Sequence, residues 1–196
     1  MLKKLYGIDI PLRTEYCRYF NSKPVSILEP YTNMYVRFKG CNSKCDFCEY
    51  INSANNFNIK KYEKILIHIV KNIKLNRFNF TGGEPTMDYE KFKDVFDITN
   101  GILDKSTKIT INTNGVNLAK LVDDKSIINR VLNISLSRHH YDDNKNNEIF
   151  NSNNIGKDEI KDIQKSIKKK DILNFTCNLI NNYIDNKEEV YELPRH

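Results

Sequence analysis

Apolar and polar residues alternate with a period of two along five segments of the chain, and stretches with helical spacing separate them. The alternating segments predict β-strands at residues 34–40, 76–81, 108–114, 131–137 and 172–180. The helical spacing predicts helices at residues 62–73, 89–99, 117–122 and 158–168, with a further helix beginning in 187–192; Gly101 is expected to stop the second of them. Repeated strand–helix units are typical of a parallel sheet or a barrel.

The polar residues of these strands keep one parity from strand to strand. They are Tyr35, Arg37 and Lys39; Asn79 and Thr81; Thr110, Asn112 and Asn114; Asn133, Ser135 and Ser137; and Asn174, Thr176 and Asn178. The opposite parity is apolar and includes Phe80, Ile111, Leu136, Phe175 and the thiol of Cys177, which we expect to be buried. Because strands of parallel sheets are normally apolar on both faces, this pattern predicts a polar lumen in an open, partial barrel. The alternative is an open sheet with one solvated face.

Length and composition agree with a single α/β domain. The 196 residues include 39% hydrophobic ones and only 7 Gly and 5 Pro, so the chain can bury a core of ordinary size. We interpret residues 34–196 as a partial (β/α) barrel of parallel strands. Residues 1–33, which precede the first predicted strand, form an N-terminal extension.

Charge and hydropathy argue against a nucleic-acid partner and a membrane partner. Lys and Arg number 31 against 25 acidic residues, but this excess is spread along the chain and its densest run, residues 168–170, is three long. A diffuse excess argues against nucleic-acid binding. No run approaches the roughly 20 apolar residues that span a bilayer, and the first residues lack the apolar stretch of a secretory signal. We therefore predict a cytoplasmic protein without a membrane partner.

Three of the five cysteines, Cys41, Cys45 and Cys48, follow the first predicted strand with the spacing C-x3-C-x2-C. Chance would give this spacing about once in six hundred chains with as many cysteines. A structural zinc site needs four ligands, and the nearest histidine, His68, lies twenty residues beyond Cys48. Three thiolates on one loop can instead hold three irons of a [4Fe-4S] cluster and leave the fourth iron open to a ligand.

Two further motifs follow the next two predicted strands. Residues 81–85 read Thr-Gly-Gly-Glu-Pro and residues 113–115 read Thr-Asn-Gly. Together with the cysteine loop, in this order and at successive strand ends, they resemble the radical S-adenosylmethionine (SAM) enzymes from residue 34 onward. The resemblance implies a radical SAM core, in which SAM binds the open iron, accepts an electron and yields a 5′-deoxyadenosyl radical that abstracts hydrogen from a substrate. The family core has six strands, so this chain is either shortened or truncated after the fifth.

The resemblance also implies the residues that bind the cofactors. Cys41, Cys45 and Cys48 correspond to the cluster ligands, and Phe47 to the aromatic residue near adenine. Gly82, Gly83 and Glu84 correspond to the segment that holds the methionine amino group, since glycine lets backbone approach closely and a carboxylate suits an ammonium. The remaining expected SAM contacts, at the ends of later strands, are Asn114, Ser135, Ser137, Arg138, Asn178 and Ile180.

Some positions stay open between two interpretations. Arg138 could bind the carboxylate of SAM or be a surface charge. His139 and His140 could line the substrate site or belong to a polar loop, and the Asn-rich residues 142–154 predict either a lid or a disordered segment. The sequence gives no role to Cys17 and identifies no catalytic side chain.

The leading hypothesis is a radical SAM enzyme with an unidentified substrate, which could be a peptide, a glycyl-radical enzyme or a nucleotide-like small molecule. An external one-electron donor of the flavodoxin or ferredoxin type is then expected. The alternatives are a non-catalytic iron–sulfur electron carrier, whose cluster would be closed by a fourth ligand such as Cys17, and a structural zinc module.

Overall fold

The computed structural model describes residues 2–5, 8–11, 32–48, 58–169, 171–178, 180 and 183. The first two strands, β1 (Leu2–Leu5) and β2 (Ile8–Pro11), pair antiparallel in a sheet of their own. The larger sheet has five parallel strands whose spatial order is their order in the chain: β3 (Thr32–Phe38), β4 (Leu75–Gly82), β5 (Lys108–Thr113), β6 (Asn133–Ser137) and β7 (Leu173–Thr176). This α/β architecture confirms the predicted class.

Helices connect the parallel strands. They are α1 (Ile59–Asn72), α2 (Tyr89–Ile102), α3 (Leu118–Asp123), α4 (Lys125–Ile128), α5 (Asp143–Phe150) and α6 (Lys157–Ser166). Side-chain caps begin several of them: the carboxylate of Asp88 accepts the N–H of Lys91 at the start of α2, and Asp142 accepts that of Lys145 at the start of α5. The apolar stripe of α2 covers the sheet through Phe92, Val95 and Phe96.

The register of the sheet aligns residues of the same parity across the strands. Phe80 lies beside Ile111, which lies beside Ile134, and all three are fully buried in the core under the helices. On the other face Asn112 lies beside Ser135, which lies beside Asn174. The predicted phase of the alternation is therefore confirmed from β3 to β6.

Four sequence predictions need correction. Residues 143–150 of the Asn-rich segment form the helix α5, not a disordered loop. Helix α2 continues through Gly101 to Ile102, since an exposed glycine weakens a helix without ending it. Phe175, predicted to pack under helices, is 42% exposed. Cys177 lies beyond the short β7 and is half-buried.

The helix predicted in residues 187–192 lies outside the described residues, as does Cys17. In the part of the chain that is described, none of the helices combines the length and the apolar character that crossing a bilayer requires.

Candidate active site

The carboxyl ends of the parallel strands surround a cavity of about 470 Å³. Its lining combines the loop after β3 with the ends of β4 to β7 and with α5. The lining residues are Cys41, Ser43, Cys45, Phe47, Cys48, Thr81, Gly82, Gly83, Glu84, Asn112, Thr113, Asn114, Ser135, Ser137, His139, Phe150, Thr176 and Asn178. Ligands of α/β folds with parallel strands bind at this edge of the sheet.

All three cysteines of the spaced motif face this cavity. The Cys48 N–H donates to the Cys45 carbonyl at 3.0 Å and closes a turn that brings the last two thiols together. Burial raises the pKa of the Cys41 thiol, and burial reinforced by the neighbouring cysteines raises that of Cys45 to about 11. The thiols of Cys41 and Cys45 are therefore protonated at neutral pH until an electrophilic ion displaces the proton.

Among the described residues, no three His, Cys, Asp or Glu side chains converge as they would around a single metal ion. A [4Fe-4S] cluster does not require such convergence, because it places each thiolate on a different iron and so holds the sulfurs farther apart than one ion does.

Two glycines at the end of β4 let this strand approach the cysteine loop. A Cβ atom added to Gly83 would lie 1.9 Å from the carbonyl oxygen of Gly40, and one added to Gly82, whose φ is +117°, would lie 2.4 Å from the nitrogen of Phe38. This close approach lets the Glu84 N–H donate to the Gly40 carbonyl, with 2.8 Å between nitrogen and oxygen. Any larger residue at position 83 would push the two segments apart.

The carboxylate of Glu84 is buried, with 3% of the residue exposed, and is held by four donors of the chain itself. Its Oε1 accepts from the backbone and hydroxyl of Thr86, at 2.9 and 2.6 Å, and from the hydroxyl of Thr113 at 2.7 Å. Its Oε2 accepts from the Asn114 N–H at 2.6 Å. Burial raises the pKa of Glu84, while these hydrogen bonds oppose the shift. Oε1 thus accepts three hydrogen bonds, whereas Oε2 accepts one and can accept another.

Asn114, directly after β5, joins this carboxylate to the cysteine loop. Its side-chain amide donates to Oδ1 of Asn42 at 2.8 Å and to Oγ of Ser43 at 3.2 Å, and lies 3.8 Å from Sγ of Cys41. Its own oxygen accepts the Val116 N–H, which fixes the orientation of the amide. The loop is also held from α5, since the Lys44 N–H donates to the Phe150 carbonyl at 2.9 Å.

The end of β6 contributes two hydroxyls to the cavity. Ser135 and Ser137 both line it, and the Ser135 hydroxyl is hydrogen-bonded to that of Thr176 on β7. Arg138 does not line the cavity. Its buried guanidinium pairs with Asp143 at 2.5 Å and donates to the Tyr141 carbonyl at 3.0 Å, so it anchors the start of α5.

The polar lumen predicted from the alternation is confirmed at the carboxyl ends of the strands. Asn112, Ser135, Ser137, Thr176 and Asn178 share the cavity, whereas Thr110 lies deeper on the same face and bonds to Asn79. Ile180, placed by the sequence among the SAM contacts, is half-buried and does not line the cavity.

The structure separates the two adjacent histidines. His139 lines the cavity, with its ring edge-on to Phe47 and stacked on Phe150. His140 is fully buried, and its Nδ1 accepts the Asp142 N–H at 2.9 Å. Phe150 was missed by sequence reasoning. The apolar pair Ile149 and Phe150 after a polar run was the signal that a buried helix end follows.

The sequence of this chain matches the family model described as the Radical SAM superfamily over residues 35–195. The chain belongs to the radical SAM superfamily. Membership in this superfamily implies SAM and an iron–sulfur cluster as cofactors. The residues present fit both, because three thiols and a glycine-lined segment share one cavity large enough for a small ligand.

A named relative of this radical SAM chain comes from Methanocaldococcus jannaschii. It is named as a glycyl-radical enzyme activating enzyme and is 26% identical over 107 residues, which make up 54% of this chain and 39% of that protein. The chain thus spans about two fifths of the length of this curated relative.

Solved structures share the fold. The structure of anSMEcpe with bound AdoMet has a TM-score of 0.58 at 20% identity, covering 83% of this chain and 48% of that one. SuiB of Streptococcus suis bound to the precursor peptide SuiA has a TM-score of 0.61 at 22% identity, covering 84% of this chain and 36% of that one. The shared fold agrees with the predicted partial barrel.

Proposed function

We propose that this protein binds SAM at a [4Fe-4S] cluster and uses it to abstract a hydrogen atom from a substrate. The single observation that carries the proposal is the meeting of three thiols and the Gly82-Gly83-Glu84 segment at one cavity. Three thiolates leave one iron of such a cluster open, and no fourth cysteine lines the cavity among the described residues.

Each group at the cavity has a proposed task. Cys41, Cys45 and Cys48 hold three irons. Oε2 of Glu84 accepts a hydrogen bond from the ammonium of SAM. A cationic donor suits this buried carboxylate, whose Oε2 has a lone pair left after the bond from Asn114. When bound and reduced by the external donor, the cluster would supply the one electron that cleaves the bond between the sulfonium and the 5′-carbon of SAM, so that methionine and 5′-deoxyadenosine leave and the substrate loses one hydrogen atom.

The nucleoside of SAM is proposed to lie toward β6 and β7. The hydroxyls of Ser135 and Ser137 face the cavity there and suit the hydroxyls of a ribose, while Phe47 offers a ring to adenine. Asn178 lines the same end. Arg138 is left out of this set, because its guanidinium is already paired with Asp143.

For the substrate we propose a polypeptide, and in first place a glycyl-radical enzyme. The support is the relative named as an activating enzyme, whose similarity covers 54% of this chain. An external one-electron donor of the flavodoxin or ferredoxin type completes the reaction. We also propose that residues 34–196 form the catalytic domain and residues 1–33 an extension of it.

Anaerobic reconstitution with iron and sulfide tests the cluster. We expect about four irons per chain and, after reduction, an electron paramagnetic resonance spectrum that changes when SAM is added. Alanine at Cys41, Cys45 or Cys48 should abolish both. Cys177→Ala is the matched control, because Cys177 does not line the cavity. A spectrum indifferent to SAM would indicate a closed electron-transfer cluster, and zinc without iron would indicate a structural module; either result contradicts the proposal.

A further inference from the structure

His139 is a cavity residue to which the proposed reaction gives no task. Only 4% of the residue is exposed, and its ring lines the cavity directly after β6. Its Nδ1 accepts the backbone N–H of Asn178 at 3.0 Å, so the proton of the neutral imidazole is on Nε2. No described residue accepts from that Nε2–H. The cavity therefore holds a buried, oriented donor that has no acceptor among the described residues.

The surroundings of this donor are aromatic. The Phe47 ring lies edge-on with its centroid 5.1 Å from that of His139, and the Phe150 ring stacks at 4.8 Å. Burial in this apolar environment lowers the pKa of His139 to about 4, so the imidazole is neutral at physiological pH. A neutral N–H beside aromatic rings is the combination that recognises the edge of a flat heterocycle with acceptor nitrogens.

We propose that His139 donates its Nε2–H to a ring nitrogen of the adenine of bound SAM. The inference rests on the proposed function and adds to it a residue that selects the base. The backbone N–H of Asn178, two residues beyond β7, holds Nδ1, so the fold orients the Nε2–H donor before the ligand binds.

The other parts of SAM fit this donor less well. An ammonium has no lone pair to accept from Nε2–H, and Glu84 already provides a carboxylate at the end of β4. The ends of β4 and β6 are two strands apart, about 10 Å at the usual spacing of neighbouring strands. A carboxylate would be desolvated between Phe47 and Phe150 without a cation, which is costly. The adenine is therefore the part of SAM that matches this end of the cavity.

Two substitutions separate the two nitrogens of the ring. In His139→Asn the side-chain oxygen can still accept from the Asn178 N–H, but the donor at the ε position is lost. In His139→Gln a donor remains near the ε position. Calorimetric titration of the anaerobically reconstituted protein with SAM, 5′-deoxyadenosine and methionine then measures the affinity for each ligand. The comparison shows whether a substitution weakens binding of the nucleoside half or of the methionine half of SAM.

We expect His139→Asn to weaken binding of SAM and 5′-deoxyadenosine about 3- to 10-fold, with methionine affinity and iron content unchanged. His139→Gln should recover part of the loss. The 1-deaza, 3-deaza and 7-deaza forms of 5′-deoxyadenosine each lack one ring nitrogen. The form that lacks the accepting nitrogen should bind the wild-type protein more weakly than 5′-deoxyadenosine does. The affinity of that form should be the same for His139→Asn as for the wild type.

Three results would overturn the inference. Unchanged SAM affinity in His139→Asn, with normal binding by the wild type, overturns it alone and leaves the proposed function intact. A change in the cluster spectrum of His139→Asn before SAM is added would place His139 on an iron and not on adenine. Failure of the wild-type protein to bind SAM overturns the proposed function and this inference with it.

Discussion

The backbone N–H of Asn114 donates to Oε2 of Glu84 at 2.6 Å, and this bond closes a ring of contacts around the first cysteine. The Glu84 N–H in turn donates to the Gly40 carbonyl at 2.8 Å, and the Asn114 amide donates to Asn42 at 2.8 Å. The ring joins the ends of β3, β4 and β5 on either side of Cys41. The position of the loop thus depends on residues that are far from it in sequence.

Loss of the Asn114 amide should weaken the hold of the protein on its cluster. In Asn114→Ala the donor to Asn42 and Ser43 disappears, and such supporting contacts are worth about 10-fold or more in metal affinity. Competition with an iron chelator on the reconstituted protein measures the effect. Asn133→Ala is the control, since Asn133 does not line the cavity. Equal iron release from both variants would contradict the role given to Asn114.

Substitution of Glu84 by Gln should destabilise the protein even before any cofactor binds. The amide puts a donor where Thr86, Thr113 and Asn114 all donate, so at least one buried donor loses its acceptor, at a cost of about 1–3 kcal/mol in the free energy of unfolding. Urea unfolding of the apoprotein measures this cost, with the exposed Glu90→Gln as control.

SAM titration of the same variant separates structure from binding. Weaker SAM binding at normal iron content would support the contact between Glu84 and the ammonium, because Oε2 would no longer carry the full charge. Unchanged SAM affinity in a destabilised Glu84→Gln protein would make Glu84 a positioning residue only. An apoprotein of unchanged stability would contradict the hydrogen bonds described for its carboxylate.

Two glycine substitutions should have opposite effects on stability. The Cβ of Gly83→Ala would lie 1.9 Å from the Gly40 oxygen, so the strand ends must separate, and we expect a loss of about 3 kcal/mol or more. Gly101→Ala adds a Cβ with nothing within 4 Å inside a helix and should stabilise by about 0.5–1 kcal/mol. Chemical unfolding of both apoproteins gives the comparison, and a tolerated Gly83→Ala would rule out the close approach.

Acid should destabilise the protein through His139. Its folded pKa of about 4 lies below the ordinary value of 6.5, so the unfolded chain binds more protons between these pH values and the free energy of unfolding falls as pH drops from about 6.5 to about 4. The whole change amounts to about 3 kcal/mol. His139→Gln should remove this part of the slope, and His68→Gln, on the exposed side of α1, should keep it. Identical slopes in all three proteins would show that His139 is not buried in its neutral form.

The sequence predicted the sheet because a rule of local geometry governs it. Alternation with a period of two assigns Ile111 to the core and Asn112 to the cavity without knowledge of any distant contact, and the register carried the same assignment to Ile134 and Ser135. The cysteine loop and the Gly82-Gly83-Glu84 segment were recognisable for a related reason. Their residue types are dictated by metal ligation and by close backbone approach, which few other residues satisfy.

Helix α5 could not be predicted with the same ease, because tertiary contacts maintain it. Its segment Asp143–Phe150 holds three asparagines, which favour helices poorly. In the fold, Oδ1 of Asn146 accepts the backbone N–H groups of His139 and His140, and Phe150 packs at the cavity. The pairing of Arg138 with Asp143 has the same origin. Periodicity in the sequence does not reveal such contacts.

Cleavage of SAM by the reduced protein tests the proposed radical SAM reaction most directly. The anaerobically reconstituted chain is mixed with dithionite and SAM, and methionine and 5′-deoxyadenosine are measured by chromatography. We predict that both products form in equal amounts, and that alanine at Cys41, Cys45 or Cys48 abolishes them while Cys177→Ala does not. The proposed reaction would be contradicted if the wild-type protein carried the full cluster and bound SAM, yet released no more 5′-deoxyadenosine than the cysteine variants.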